Sequence, residues 1–438
     1  MNKVVAAELK KETKVLNREN QADFEVALCE TARRGFEPGR TPPPDSFPAD
    51  GRAERFRLLG SDLWFDSGNL AEVKKRWVQG FTHLTTNNTL VWSEVKEGKF
   101  DRAIAEAAAE ILRLRPTMDE NELIMAVGFV VNARVANALV QELPAKVSVE
   151  LHPAIADDVS QTVRYGTLYY AVNPDRFIIK VPFTPAGLIA ARILSLRGVP
   201  VNLTTTFSAR QVALVAAVAN TSFTNVFMGR LSEMAKKYSL GDPAGIGEKA
   251  TMSAQIALNK VKLQNLQIKT KLIGASLRSG SQLVDLAGMD VFTMPLSAWD
   301  EFLKMEINPD DMASQVGRNF KVSLKGDAGH IFGSLWNVPE GFWKLGQALR
   351  HEAVEAFTPD DVVDLTKSFG LSDLWYRWTE SELEKVKKDG KIPDWEGWKG
   401  ALDSGDLGLD ALMTEAAKGS FGSDQDKADD YYRRKLRE

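Results

Sequence analysis

Phe177-Ile178-Ile179-Lys180-Val181-Pro182 is an apolar run broken by one lysine, and it leads straight into Phe183-Thr184-Pro185-Ala186-Gly187. A β-branched run that meets a Pro- and Gly-bearing turn reads as a buried strand. If that strand belongs to a closed parallel barrel, its carboxyl end opens onto the face where barrel chemistry is done. Dry surroundings there would help Lys180 shed its proton and attack a carbonyl. The plainer reading of the segment alone is a lysine snorkelling from a strand end to water.

Outward from this run the same unit recurs. Leu63-Trp64-Phe65 ends in Asp66 and is followed by helical spacing over residues 69–78; residues 81–86 read as a second strand. The helical patterns between 90 and about 143, with Pro116 among them, form an enlarged crossover. Further strands are expected over 147–151, 177–181, 199–204, 223–227, 271–276 and 291–294. Eight short β-rich runs alternating with helical patterns predict an α/β fold, a (β/α)8 TIM barrel over residues 61–355. An N-terminal arm and linker would occupy 1–60, and a C-terminal helical extension 356–438. Periodicity does not show closure, so an open doubly wound sheet stays as the alternative.

Polar residues gather at the expected carboxyl ends: Asp66, Thr85, Asn87, Glu150, Lys180, Asn202, Thr204, Arg230, Ser276 and Arg278. In a barrel these ends ring a single mouth. Taken singly, each has a plainer role: Asp66 as a helix cap, Asn87 in a turn, the arginines as solvated charges.

Composition narrows the function classes. The 438 residues are 44% hydrophobic and 26% charged, ordinary for a globular chain. With 55 basic against 59 acidic residues, the net charge of -4 makes no field that would draw nucleic acid or an anionic membrane, and neither partner is expected. The one cysteine, Cys29, allows no internal disulfide and reads as a small buried hydrophobe. The four histidines, at 83, 152, 330 and 351, lack ligand spacing, so no metal is expected; His152 draws notice because it stands two residues after Glu150. The start, Met1-Asn2-Lys3-Val4-Val5-Ala6-Ala7-Glu8-Leu9-Lys10, turns polar at once and offers neither a signal-peptide core nor a membrane span, which fits a cytoplasmic location.

The first residues read as a charged helical stretch, and Pro38–Pro44 with Phe47-Pro48-Ala49-Asp50 as a surface arm. Past residue 300, outer helices are expected over 307–320 and 342–355, with a turn or short loop at 326–331. Trp375, Trp378, Trp395 and Trp398 stand among charged helical patterns, followed by Gly419-Ser420-Phe421-Gly422-Ser423-Asp424. Trp375 and Trp378 fall three apart on an expected helix face, for which packing against the barrel is favoured over a peptide or subunit contact.

Six pieces form a recognisable set: Trp64-Phe-Asp-Ser-Gly-Asn-Leu70, Leu84-Thr-Thr-Asn-Asn-Thr-Leu90, Ile179-Lys-Val-Pro182, Asn202-Leu-Thr-Thr-Thr-Phe-Ser208, Phe227-Met-Gly-Arg-Leu231 and Ile273-Gly-Ala-Ser-Leu-Arg278. In order and spacing the region from about 61 to 300 resembles transaldolases. The resemblance implies that Lys180 forms a Schiff base with a ketose phosphate, without cofactor or metal. Asp66 would exchange the C4 hydroxyl proton, and Glu150 would move protons through a water held by Thr204. Thr85, Asn87, Asn202, Asn225 and Phe227 would line the sugar, and Arg230, Ser276 and Arg278 would bind its phosphate. The implied activity transfers a dihydroxyacetone unit from fructose 6-phosphate or sedoheptulose 7-phosphate to an aldose phosphate, in carbohydrate metabolism of the pentose phosphate pathway. Sugar phosphates are the implied partners, and a homo-oligomer is allowed.

The chain departs from the family pattern at Asn88, where proline is usual, and at Asn225, where serine is common. Phe227 and Glu150 favour transfer over the simple cleavage of a fructose-6-phosphate-type aldolase. A noncatalytic sugar-phosphate sensor would need Arg230 and Arg278 but not Lys180 and Asp66. An interaction protein built on the tryptophan-bearing tail would leave the mouth unexplained.

Overall fold

Parallel strands buried on both faces are written as continuous apolar runs, and eight such runs close on one another here. A computed structural model describes residues 20–350 and 352–438. The strands are β1 (Asp62–Asp66), β2 (Phe81–Thr85), β3 (Lys146–Glu150), β4 (Phe177–Pro182), β5 (Val201–Thr204), β6 (Phe223–Phe227), β7 (Lys271–Ala275) and β8 (Val291–Met294). Each pairs in parallel with the next, and β8 pairs with β1, so the sheet has no free edge. This is the expected (β/α)8 barrel. β4 is buried at all six positions.

Side-chain caps make the turns after the strands abrupt. Asn69, Asn87, Thr184 and Ser208 each accept a backbone N–H of the helix they start, after β1, β2, β4 and β5 respectively. After β4 the chain folds back so tightly that a Cβ on Gly187 would lie 2.0 Å from the Pro182 carbonyl oxygen. The helix that directly follows a strand therefore starts within a few residues of its polar end.

The helix Gly51–Leu58 belongs to the barrel base. Its Phe56 is fully buried, edge-on to Phe292 of β8 at 5.6 Å and to Phe302 at 5.5 Å. The helix over 20–33 buries Phe24, Leu28 and Cys29, and Arg33 donates to the carbonyl of Val172. The charged stretch expected at the very start and His351 lie outside the described residues. Helix Glu120–Glu142 is long and apolar enough to cross a membrane, with mean hydropathy 1.8 over its apolar window, but 83% of that window is buried within this fold.

Four local expectations are corrected. The helix after β1 is only Leu70–Lys74, because Trp77 turns inward to pack against Phe81 at 5.6 Å. Residues 307–320 form one 3-10 turn, Pro309–Asp311, and then irregular chain. There Arg55 takes the carbonyl of Met312 and Gln315 donates its N–H to Ala287, so long-range bonds replace a helical ladder. Of the turn expected at 326–331, Gly326-Asp327 is a turn but 328–331 already belong to helix Ala328–Trp336, and the next helix runs Glu340–Arg350 before a separate 3-10 turn.

Trp375 and Trp378 are not on a helix; they lie in the connector between Pro359–Ser368 and Glu380–Asp389. Trp375 stacks on Phe183 at 4.6 Å and Trp378 meets Trp398 edge-on at 5.5 Å, so both pack within the chain. Residues 419–424 sit within one helix, Leu409–Arg437.

Candidate active site

Register brings the chemistry together. Glu150 of β3 is level with Lys180 of β4, and Lys180 is level with Asn202 of β5. The lysine is 1% exposed, with Nζ 3.4 Å from Glu150 Oε2 and 3.3 Å from the Thr86 carbonyl oxygen. It does not snorkel. Burial pushes the Glu150 carboxyl above its usual range; Lys180 and the Asn88 backbone N–H oppose that shift, and Asp66 adds to it. Asp66 ends β1 level with Thr85, and its Oδ1 is buried without a hydrogen-bond partner. Burial raises its pKa too, against the pull of Lys180 and Arg278.

The neutral residues are ordered by one another. Thr85 and Thr293 share a hydroxyl hydrogen bond of 2.8 Å. Asn202 donates to Ser148 Oγ at 3.1 Å, and Asn225 donates to Thr204 Oγ1 at 2.8 Å. Both asparagines keep a buried carbonyl oxygen without a partner. Accepting from Asn225 leaves the Thr204 hydroxyl proton free to donate elsewhere. Asn87 spends its carbonyl oxygen on capping, bonded to Leu90 N–H at 2.9 Å, so only its NH2 group remains for a ligand.

The arginines differ in setting. Arg230 lies in the first turn of helix Met228–Lys237, is 6% exposed, and has a buried Nη1 without a partner. Burial and the neighbouring Arg278 push its pKa down to about 10. Arg278 is exposed and held by Glu233 Oε1 at 2.6 Å and by the Ser276 carbonyl at 2.9 Å. Ser276 adopts a left-handed backbone with φ of 64°, a conformation that is uncommon outside glycine and clusters at functional sites. Phe227 packs edge-on against Phe207 at 5.6 Å, with the Arg230 guanidinium 5.4 Å from its ring centre.

Gly229 makes this corner possible, since a Cβ there would lie 2.1 Å from the Ser276 carbonyl oxygen and 2.9 Å from Arg278 Cζ. Gly229→Ala should displace Ser276 and Arg278 together. If this corner takes a phosphate, as the resemblance implies, KM for a phosphorylated ketose should rise about tenfold, the scale of one weakened charge-assisted contact. Steady-state kinetics on phosphorylated and unphosphorylated sugar would check it, and an unchanged KM would refute it.

Other residues at the mouth carried no assignment from the sequence. Thr86 contributes only a carbonyl, which no side-chain pattern reports. Asn88 stood out as a departure, yet its contribution to Glu150 is a backbone N–H. Ser148 was legible in principle, since strand alternation puts it on the same face as Glu150. Phe421 gave no signal, being a tail residue whose ring centre lies 5.5 Å from Lys180 Nζ and 5.3 Å from Arg230 Cζ.

His152 does not join the site: its Nε2 is 3.2 Å from Asp429 Oδ2 and ties the tail helix to the loop after β3. His83 stacks on Trp64 at 4.3 Å, and burial pushes its imidazole down to about 3, so it is neutral. Burial likewise pushes the Cys29 thiol up to about 11, which makes it unreactive. Among the described residues, no three His, Cys, Asp or Glu side chains are grouped to hold a metal ion.

Fold and site together define a class: a closed (β/α)8 barrel whose mouth carries a buried lysine beside Glu150, a second buried acid at Asp66, one buried arginine and one exposed arginine. Residues 63–361 match the family Transaldolase/Fructose-6-phosphate aldolase, and the chain belongs to it. A transaldolase of Rhizobium leguminosarum bv. trifolii is 29% identical over 240 residues, covering 53% of this chain and 73% of the relative. One from Rhizobium rhizogenes is 30% identical over 228 residues, 51% of this chain and 70% of that protein. For a Chlamydia trachomatis transaldolase the figures are 25% over 279 residues, 61% and 81%. The family match extends beyond the 61–300 read from the motifs, and it stops before the tail helix.

Proposed function

We propose that the chain is a transaldolase acting through a Schiff base on Lys180. One observation carries the reading. Asp66 at the end of β1, Asn202 of β5 level with Lys180, Asn225 within β6 and Arg230 in the first turn of the helix after β6 each keep a buried polar atom without a partner. An unsatisfied buried polar group costs about 1–3 kcal/mol, so a set of them favours a ligand bearing hydroxyls and an anionic group. A ketose phosphate has both, together with a carbonyl for the lysine.

In this mechanism Lys180 adds to C2, and Glu150 moves protons through a water that Thr204 orients, until water leaves and the iminium forms. Asp66 takes the C4 hydroxyl proton, the C3–C4 electron pair flows into the iminium, and an aldose phosphate departs. The remaining dihydroxyacetone unit then adds to an acceptor aldehyde by the reverse steps. Asn87, Asn202 and Asn225 hold hydroxyls without neutralising either acid. Arg230, Ser276 and Arg278 take the phosphate, with Arg278 exchanging its bond to Glu233. The ligands proposed are sugar phosphates. A reducing compartment such as the cytoplasm fits the lone buried Cys29.

Glu150 beside the lysine favours transfer. Hydrolytic cleavage is the second reading, because retro-aldol cleavage is half of the transfer cycle. Incubation with fructose 6-phosphate, with and without erythrose 4-phosphate, separates them: acceptor-dependent transfer supports the transferase, and free dihydroxyacetone alone supports the aldolase. Arg278→Ala should weaken phosphorylated ketose about tenfold more than its unphosphorylated analogue, since it deletes a partly exposed charge-assisted pair. Equal losses on the two sugars would remove Arg278 from the phosphate site.

A further inference from the structure

We infer that Phe421, which lies beyond the family-matched residues, is the roof of the reaction chamber and sets the lifetime of the dihydroxyacetone adduct when no acceptor is present. This rests on the proposed chemistry of Lys180. Phe421 is 7% exposed, with its ring among Lys180, Arg230 and Phe227. It joins the ends of β4 and β6 from above.

The helix that carries it, Leu409–Arg437, is tied down on opposite sides of the mouth. Near its start, Asp410 accepts from Ser208 at 2.6 Å and from Arg210 Nε at 2.7 Å, and Thr414 donates to the Thr205 carbonyl, all beside the end of β5. Further on, Asp424 accepts from Thr89 after β2, and Asp429 meets His152 after β3. At 1.5 Å per residue, the stretch from Asp410 to Asp429 runs about 28 Å, enough to bridge the barrel. Asp410 is fully buried and Arg210 is 3% exposed, and Arg210 also pairs with Asp373. Breaking such a buried charge cluster is strongly unfavourable. The helix is a fixed roof, not a mobile lid.

Exposure shows which side it covers. Lys180, Asn202 and Thr204 are sealed at 1% or less, whereas the Arg278 side chain is 45% exposed. The chamber is shut over β4 to β6 and open beside β7, where a phosphate can reach Arg278.

The chemistry of a waiting adduct makes that cover consequential. After C3–C4 cleavage the electron pair is held as an enamine on Lys180. The adduct is lost if Asp66 returns its proton to C3 and one water adds its oxygen to C2. The C2–N bond then breaks, freeing dihydroxyacetone and the lysine amine. The Phe421 ring, centred 5.5 Å from Lys180 Nζ, covers the nitrogen to which that C2 would be bonded, and so stands against water approaching it.

The test reads a lifetime. The full chain is loaded with fructose 6-phosphate, passed rapidly through a desalting column, and quenched with borohydride at successive times while the adduct on the Lys180 peptide is quantified by mass. Phe421→Ala should shorten the half-life at least about tenfold and Phe421→Leu about threefold, the scale expected from admitting water to a closed site. A general loss of structure would lower the amount loaded rather than its decay rate, and if the alanine variant does not fold, the leucine variant decides. Equal half-lives across the folded variants, with the adduct still on Lys180, would overturn the roof and leave the transaldolase reading standing. No adduct on Lys180 in the unmodified chain would overturn both.

Discussion

Lys180→Arg is expected to eliminate the borohydride-fixed adduct and to lower turnover by at least about 10^4-fold, the scale of removing an enzymatic nucleophile. The substitution keeps a positive charge opposite Glu150, whose Oε2 lies 3.4 Å from the lysine nitrogen. Loss of activity therefore would not follow from stranding a buried carboxylate. What arginine lacks is an amine that can become neutral and form an imine. Peptide mass mapping after reduction in fructose 6-phosphate gives the site directly. Adduct on a different lysine, or near-normal transfer by the arginine variant, would overturn the mechanism while leaving the barrel intact. Thermal melting of the variant distinguishes chemical loss from damage to a position that is 1% exposed.

Asp66→Asn should lower turnover by about 10^2- to 10^4-fold, the range for loss of a positioned general base, while still permitting the first imine to form. Substrate should then be trapped before C3–C4 cleavage, and borohydride should fix the whole ketose phosphate rather than its three-carbon fragment. The pH dependence follows from burial, which raises the Asp66 pKa against the opposing charges of Lys180 and Arg278. As a base, Asp66 must be ionised, so kcat/KM should fall toward acid through a pKa above the usual carboxylate value of about 3.9.

Stability should move the other way. A carboxyl whose pKa is higher in the folded chain than in the unfolded one contributes stability at low pH, and that contribution is lost as pH rises through the folded value. The asparagine variant, which cannot ionise, should therefore gain more in melting temperature at pH 8 than at pH 5. The opposite order would mean that the Lys180 and Arg278 attractions outweigh burial.

Much of this was legible in the chain itself. Each expected strand lies within two residues of its observed bounds, because a strand buried on both faces has little room for polar residues until it ends. Asp66, Thr85, Glu150 and Thr204 stand at those ends, and Lys180 lies two residues before the end of β4. Past residue 300 periodicity held only in part: a helix runs Glu340–Arg350 where 342–355 was expected. Residues 307–320 carry helical spacing, yet their backbone groups are taken by Arg55 and Ala287 from distant parts of the chain. Trp375 and Trp378 have the spacing of one helix face, but their neighbours are Phe183 and Trp398.

The sequence by itself determined the order of strands and helices and the polar residues that end the strands, since those are written in local runs and turns. Only the tertiary structure decided that β8 returns to β1, that Glu150 and Lys180 are level and dry, and that Phe421 covers them. Closure, desolvation and cover arise from contacts between segments far apart in the chain. A local pattern specifies which face of a segment is apolar, but the identity of what covers that face emerges only when the whole chain packs.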